Sequence, residues 1–432
     1  MSFAREAHSG PVRHPPVPPP ARGVMIGRQP ILDRHRRVVG YELVCNASAV
    51  HQVADPSAPA VARRIAEGIL EVGLGRLVRD RRAFLEVPPS LLSDDIVKLL
   101  PPTQLVIEIP GGTALDEATC EAYRRLTHDG YALALKDFSP DSDAAALLPA
   151  ADYVTVDATA EDSVRQACLD AGVSDVRLRS TIATRVEGQL AFTLAMDAGF
   201  SHAQGYFFTR AVNVESRPVP RGQVGALRLL YVLSLPHLSL GDLEDLIKHD
   251  ASLCYRLLRA VNSVVYAQSR EVTSIRQALL LMGLNTIRRW ASLWVIADLG
   301  AESHAELVTM ASIRGRFCEL IAARKLGPDA GGEGFLLGMC SCLDAILQRN
   351  MSAVLAELPV STEVSAALLG QDNASRRLLD CVIAYTQGDW ASALPLADGL
   401  GLDRAWLPAA HLDALAWAIE PGGSTMAAAS RH

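Results

Sequence analysis

No apolar run in the sequence approaches the ~18 residues that a helical membrane span needs, and prolines stand near the start where a secretory leader would be apolar. No membrane association and a cytoplasmic location are the expectations. Cationic surplus is missing as well: 41 Lys and Arg face 48 Asp and Glu, a formal net charge of −7. General nucleic-acid binding requires basic surface to displace phosphate counterions, so that class is excluded. Short cysteine pairings of the zinc-site kind are also scarce. Cys45, Cys120, Cys168, Cys254, Cys318, Cys340, Cys342 and Cys381 are scattered through apolar segments. Cys340 and Cys342 are close, but two residues apart on a helix they face opposite sides. The cysteines read as reduced core thiols, and neither a metal nor a cofactor is expected.

What the chain does have is apolar material, 49% of 432 residues, enough for two or three cored domains. Pro11, Pro15, Pro16, Pro18, Pro19 and Pro20 mark residues 1–23 as an extended tail. From residue 24 to about 215, β-rich runs alternate with helical stretches, the pattern of a parallel sheet wrapped by helices. Strands are expected over 24–26, 38–44, 83–87, 105–109, 132–135, 153–156, 176–182 and 203–208, and helices over 61–78, 115–128 and 186–198. Eight such strands fit a closed (β/α)8 barrel with one or more wrapping helices trimmed. The basic run Arg34, His35, Arg36, Arg37 reads as a solvated turn between the first two strands.

Prolines, arginines and a glycine over 214–223 break this pattern, and residues 216–420 read as all helical, with a flexible tail over 421–432. Ser239 with Asp242 and Ser274 with Gln277 have the spacing of helix caps. Asp250 is suited to cap a helix carrying Leu253, Leu257, Leu258 and Val261, and Gly283 to stop a later one. His249-Asp250 reads as part of that cap, because no partner histidines accompany it. Arg288 and Arg289 superficially suggest a helix-turn-helix, but Trp290 and Trp294 on the same helix give it a core stripe.

Taken in order, Gly40-Tyr41-Glu42-Leu43-Val44, Leu105-Val106-Ile107-Glu108-Ile109, Lys136-Asp137-Phe138, Asp152 to Asp157 and Gln204-Gly205-Tyr206 resemble the EAL domain, the barrel that hydrolyses cyclic di-GMP. His249 to Leu253, Leu257 to Ser263, Ile275 to Leu279 and Leu281 to Gly283 resemble the HDOD domain, a helical signalling module related to HD-type phosphohydrolases but without their metal residues. Its structural signature falls on Asp250, Leu253, Asn262, Ser263 and Gly283. The resemblance implies a multidomain chain, a degenerate (β/α)8 TIM-like barrel followed by an all-α HDOD domain.

Two-metal hydrolysis needs clustered oxygen ligands and a group to activate water. By resemblance, Glu42 stands at the motif glutamate, but Asn46 replaces the phosphate-binding arginine, and an amide lacks its charged fork. Glu86 stands at a metal-binding asparagine, Gly111 at the second acid of Glu-x-x-Glu, and Lys136 at a metal-binding aspartate. Thr155 replaces the lysine of Lys-x-Asp, and Thr184 the first acid of a later loop. Glu42, Glu108, Asp137, Glu187 and Gln204 remain as a vestigial pocket, where a salt bridge between Lys136 and Asp137 would account for the charges. No catalytic residue is assigned. The expected function is non-catalytic signalling through protein contacts, in pathways of cyclic di-GMP, motility, biofilm or stress. The alternatives are a non-hydrolysing cyclic di-GMP receptor and, last, a residual phosphodiesterase.

Overall fold

The computed structural model of the chain describes residues 24–46, 59–92, 94–160, 166, 180–209, 229–230, 232–233, 238–248, 253, 257, 261, 274–284, 287–288, 291–292, 294–295, 305–356 and 360–419. The proline-rich segment, Asp250, Asn262, Ser263 and residues 421–432 lie outside the described residues.

Eight strands close into a barrel in chain order: β1 (Met25–Asp33), β2 (Val38–Asn46), β3 (Arg82–Glu86), β4 (Leu105–Ile109), β5 (Ala132–Leu135), β6 (Tyr153–Asp157), β7 (Ser180–Thr184) and β8 (His202–Gln204). From β2 to β8 neighbours are parallel, whereas β1 runs antiparallel to both β2 and β8. The reversal follows from the tight turn after β1. Asp33 Oδ1 accepts from the backbone N–H of His35 and of Arg37, each at 2.8 Å, so the chain doubles back with no room for a helix. Arg34, His35 and Arg37 are exposed there, as a solvated turn should be.

Helices α1 (Pro59–Val72), α2 (Leu74–Val78), α3 (Glu117–His128) and α4 (Gln189–Asp197) flank the barrel. Asp116 caps α3 by accepting from Thr119 N, a contact worth about 1 kcal/mol. Between β3 and β4, and between β5 and β6, the wrapping material shrinks to 3-10 turns such as Asp95–Leu99 and Asp143–Ala150. The barrel interior is filled by Ile31, Phe84, Val106, Ala132, Ala134 and Ile182. Phe84 meets Tyr153 edge to face, with ring centres 5.1 Å apart.

The described remainder is helical: α5 (Leu240–Lys248), α6 (Ile275–Met282), α7 (Ala305–Leu326), α8 (Gly331–Cys340), α9 (Leu343–Leu347), α10 (Met351–Leu355), α11 (Thr362–Leu368), α12 (Ala374–Gln387), α13 (Trp390–Gly399) and α14 (Leu407–Ile419). The expected caps form: Ser239 and Asp242 bond reciprocally ahead of α5, and Ser274 accepts from Gln277 N at the head of α6. Leu253, Leu257 and Val261 are buried, and Gly283 ends α6 at a positive φ of 80°. Trp294 is buried, and Arg288 Nε is turned inward to the carbonyl of Leu233 at 2.7 Å, which suits a core-facing helix. Cys340 and Cys342 are buried free thiols, the first closing α8 and the second preceding α9.

Because no helix joins β1 to β2, the barrel lacks a cover of its own on that flank. Helices α7, α12 and α14 lie there instead. The outward-facing Arg28 and Tyr41 meet Glu306 in the first turn of α7: Tyr41 Oη donates to Glu306 Oε2 at 2.7 Å, and Arg28 Nη2 lies 3.7 Å from Glu306 Oε1. Arg28 also stacks over the Tyr41 ring and donates to the carbonyl of Leu77 at 2.9 Å. From α14, His411 is hydrogen-bonded to the Ile26 backbone. Barrel and helices therefore share a sealed seam.

Candidate functional site

Along β2, residues alternate between the barrel interior and the seam. Tyr41 faces the helices and Glu42 the interior, where Glu108 on β4 and Gln204 on β8 also end. Glu86 stands level with Glu108 in the β3–β4 register. These groups converge at the carboxyl-end mouth of the barrel, the position at which α/β barrels hold their sites.

One ammonium organises the cluster. Lys136, just past β5, places Nζ 2.6 Å from Glu42 Oε1 and 3.2 Å from Glu86 Oε2. Glu42 Oε2 accepts from Gln204 Nε2, so both of its oxygens are committed. Burial alone would lower the Lys136 pKa, but the carboxylates of Glu42, Glu108 and Glu86 outweigh it, and the value is raised. Glu108 is only 1% exposed, and its Oε2 has no hydrogen-bond partner. Burial first, then the nearby Glu42, pushes this carboxyl well above the usual range.

The loop that carries Lys136 is held in an unusual shape. Asp137 has a φ of 46°, a left-handed conformation uncommon for a non-glycine residue. Thr155 holds it there, its Oγ1 accepting from Asp137 N at 2.9 Å and its carbonyl from Phe138 N at 2.9 Å. Gly111 lies against the same loop. A Cβ there would stand 3.0 Å from Asp137 Cβ and from the Lys136 carbonyl oxygen, so this loop leaves little room for a side chain at 111. Arg185, also at positive φ, pairs with Asp157 at the end of β6 at 2.9 Å.

The structure thus brings Glu42, Glu108 and Gln204 together, with Lys136 and Glu86 among them. Asp137 is exposed, and the expected Lys136–Asp137 salt bridge is not formed. Consecutive residues at a strand end point apart, and Lys136 reaches across the mouth to Glu42 and Glu86 instead. Glu187 is exposed beyond β7 and joins none of these bonds. Sequence reasoning missed Gln29, whose side chain bonds to Gln204, and the Arg185–Asp157 pair. The Arg185 pairing had a signal, a basic residue inside an otherwise acidic motif; Gln29 had none. The divalent ions implied by the EAL resemblance do not fit this donor set. Glu42 is bonded to an ammonium, Glu108 is held towards neutrality, and no three His, Cys, Asp or Glu side chains among the described residues converge as ligands.

Comparison with known proteins adds a lineage. Residues 220–356 match the HDOD domain family. The cyclic di-GMP phosphodiesterase CdgJ of Vibrio cholerae is 30% identical over 399 residues, covering 91% of this chain and 91% of its own. This chain belongs to the CdgJ family. YuxH of Bacillus subtilis is 29% identical over 406 residues, 91% of this chain and 98% of its own. Among solved structures, an EAL domain protein from Listeria monocytogenes covers 47% of this chain and 91% of its own, at 18% identity and a TM-score of 0.36. The FimX EAL domain of Xanthomonas citri, in complex with c-diGMP, covers 46% and 91% at 15% identity and a TM-score of 0.37. This chain thus joins an HDOD domain to a preceding eight-stranded barrel.

Proposed function

We propose that this protein is a non-hydrolysing regulator in cyclic di-GMP signalling, with a degenerate TIM-like EAL barrel and an HDOD module that acts on protein partners. One observation carries the reading: the Lys136 ammonium sits between Glu42 and Glu86, where a phosphodiesterase of the resembling kind would hold a cation. A fixed positive charge at that distance repels a divalent ion, and Thr155 stands where the motif has its lysine. Arg185 pairs with Asp157 at the end of β6, a further cation at this end of the barrel. With no metal to activate water, what the chain can pass on is a contact, and the helical module supplies the surface for it. A cytoplasmic setting suits this role.

A second reading, turnover, draws its support from the Vibrio relative named as a cyclic di-GMP phosphodiesterase. The two separate in one assay. Purified full-length protein with magnesium or manganese is expected to leave cyclic di-GMP intact over an overnight incubation. Linear product that disappears in Glu42→Ala would establish turnover and end the non-hydrolysing reading. Calorimetry with the same nucleotide, with and without magnesium, then decides whether the mouth serves as a receptor.

A further inference from the structure

A line of side-chain amides runs from the barrel mouth to the end of α12. Gln204 Nε2 donates to Glu42 Oε2 and, at 3.1 Å, to Gln29 Oε1. Gln29 Nε2 donates in turn to the backbone carbonyl of Gln387 at 3.2 Å. Both ends fix the direction of this chain. The Gln387 carbonyl can only accept, and Glu42 accepts on both oxygens because Lys136 holds the other one at 2.6 Å. Each amide between them has one orientation that satisfies every partner; turning either would set like atoms face to face.

The far end is tightly seated. Gln387 is the last residue of α12, and Gly388 caps the helix at a φ of 74°. A Cβ on Gly388 would lie 2.7 Å from Val44 Cβ, and one on Gly27 would lie 2.9 Å from the Gly388 nitrogen. The helix end is pressed onto the β1–β2 hairpin with no space for a methyl group. Asp389 then opens α13 by accepting from Ser392 N at 3.1 Å. A change at Gln29 therefore falls on the junction between two helices. The near end is accessible, since the Lys136 side chain is 25% exposed and Glu86 49%.

We propose that this chain couples the charge balance of the barrel mouth to the α12–α13 junction: an anionic group of the phosphate class that draws Lys136 away from Glu42 re-pairs Gln204 and Gln29 and loosens residues 387–389. The coupling is reciprocal, so a partner that grips the junction also changes how firmly the mouth holds Lys136. The proposal deepens the reading of the mouth as a regulatory site, yet its test involves neither turnover nor partner capture. The two therefore fail separately.

Hydrogen exchange on the full-length chain tests it. Lys136→Met is expected to speed exchange of the amides over 384–392 by about three- to tenfold, with α3 unchanged. In a Gln29→Leu background the same substitution should add less than about twofold there, because the connection is already cut. An unchanged rate over 384–392 in Lys136→Met overturns the proposal, as does an equal effect in both backgrounds or a rise shared evenly by α3 and α12. If Lys136→Met does not fold, Gln204→Leu removes the middle link without altering the charge count. It should loosen 384–392 in the same way, and unchanged exchange there is equally fatal.

Discussion

At the barrel mouth two carboxylates, Glu42 and Glu86, share one ammonium with the buried Glu108 close by, while in the seam one carboxylate, Glu306, is shared by a guanidinium and a phenol. The mouth is over-supplied with acid and half open, and burial with the nearby Glu42 pushes the Glu108 carboxyl well above the usual range. The seam is closed, with Arg28 and Glu306 each 7% exposed, and Arg79, which donates to the Ala418 carbonyl, adds a second guanidinium beside them. A closed cluster whose groups are held by direct bonds has a single low-energy arrangement. An open one changes arrangement when a proton or an anion arrives. The comparison assigns permanence to the seam and responsiveness to the mouth.

The largest expected effect lies in the seam. Glu306→Ala leaves Arg28 buried without its carboxylate and should cost about 3–5 kcal/mol, read as a lowered urea midpoint. Glu306→Gln retains an acceptor for Tyr41 and should cost less. Lys136→Met comes next, at about 1–3 kcal/mol, because solvent reaches the mouth. A larger loss for Lys136→Met than for Glu306→Ala would reverse the comparison.

Glu108 at the mouth and His411 in the seam should also tilt stability with pH in opposite senses. Glu108 is raised by burial and then by Glu42. Above the unfolded carboxyl value of about 4.3, the native state therefore keeps a proton that the unfolded chain releases, and stability falls as pH rises towards the folded value. Glu108→Gln is expected to flatten that fall by up to about 1.4 kcal/mol per pH unit. In the seam, burial lowers His411 to about 3. Below about 6.5 the unfolded chain takes up a proton that the native state refuses, so stability falls as pH drops from there towards 3. His411→Phe should flatten this acid side, and urea midpoints across the range check both. The smallest effect is predicted for Glu187→Gln, within about 0.5 kcal/mol, since the residue lies outside both clusters.

Much of the barrel was legible because strand alternation and helix caps are local. The spans of β4 and β5 coincide with the sequence reading, and the Ser239 and Ser274 caps form as their spacing implies. The sequence reading ended β1 at Ile26, yet the hairpin register carries on through Pro30, pairing it with Tyr41. The pocket was legible for Glu42, Glu108 and Gln204, whose neighbours repeat a recognisable motif. Its cation was misplaced, since adjacency in sequence suggested Asp137 where the fold supplies Glu42 and Glu86. The seam was invisible. Tyr41 and Glu306 are 265 residues apart and Gln29 and Gln387 are 358 apart, and no local pattern announces pairings at such range.

The bare flank between β1 and β2 makes the helical module the missing wall of the barrel. An enzyme barrel wrapped on all sides could be excised and studied alone; this one would leave an unshielded side with Arg28 stranded on it. Severing the backbone between residues 209 and 229 should accordingly yield two pieces that travel together on a sizing column, in the manner of a split reporter protein. The chain is two domains by descent and one body by construction.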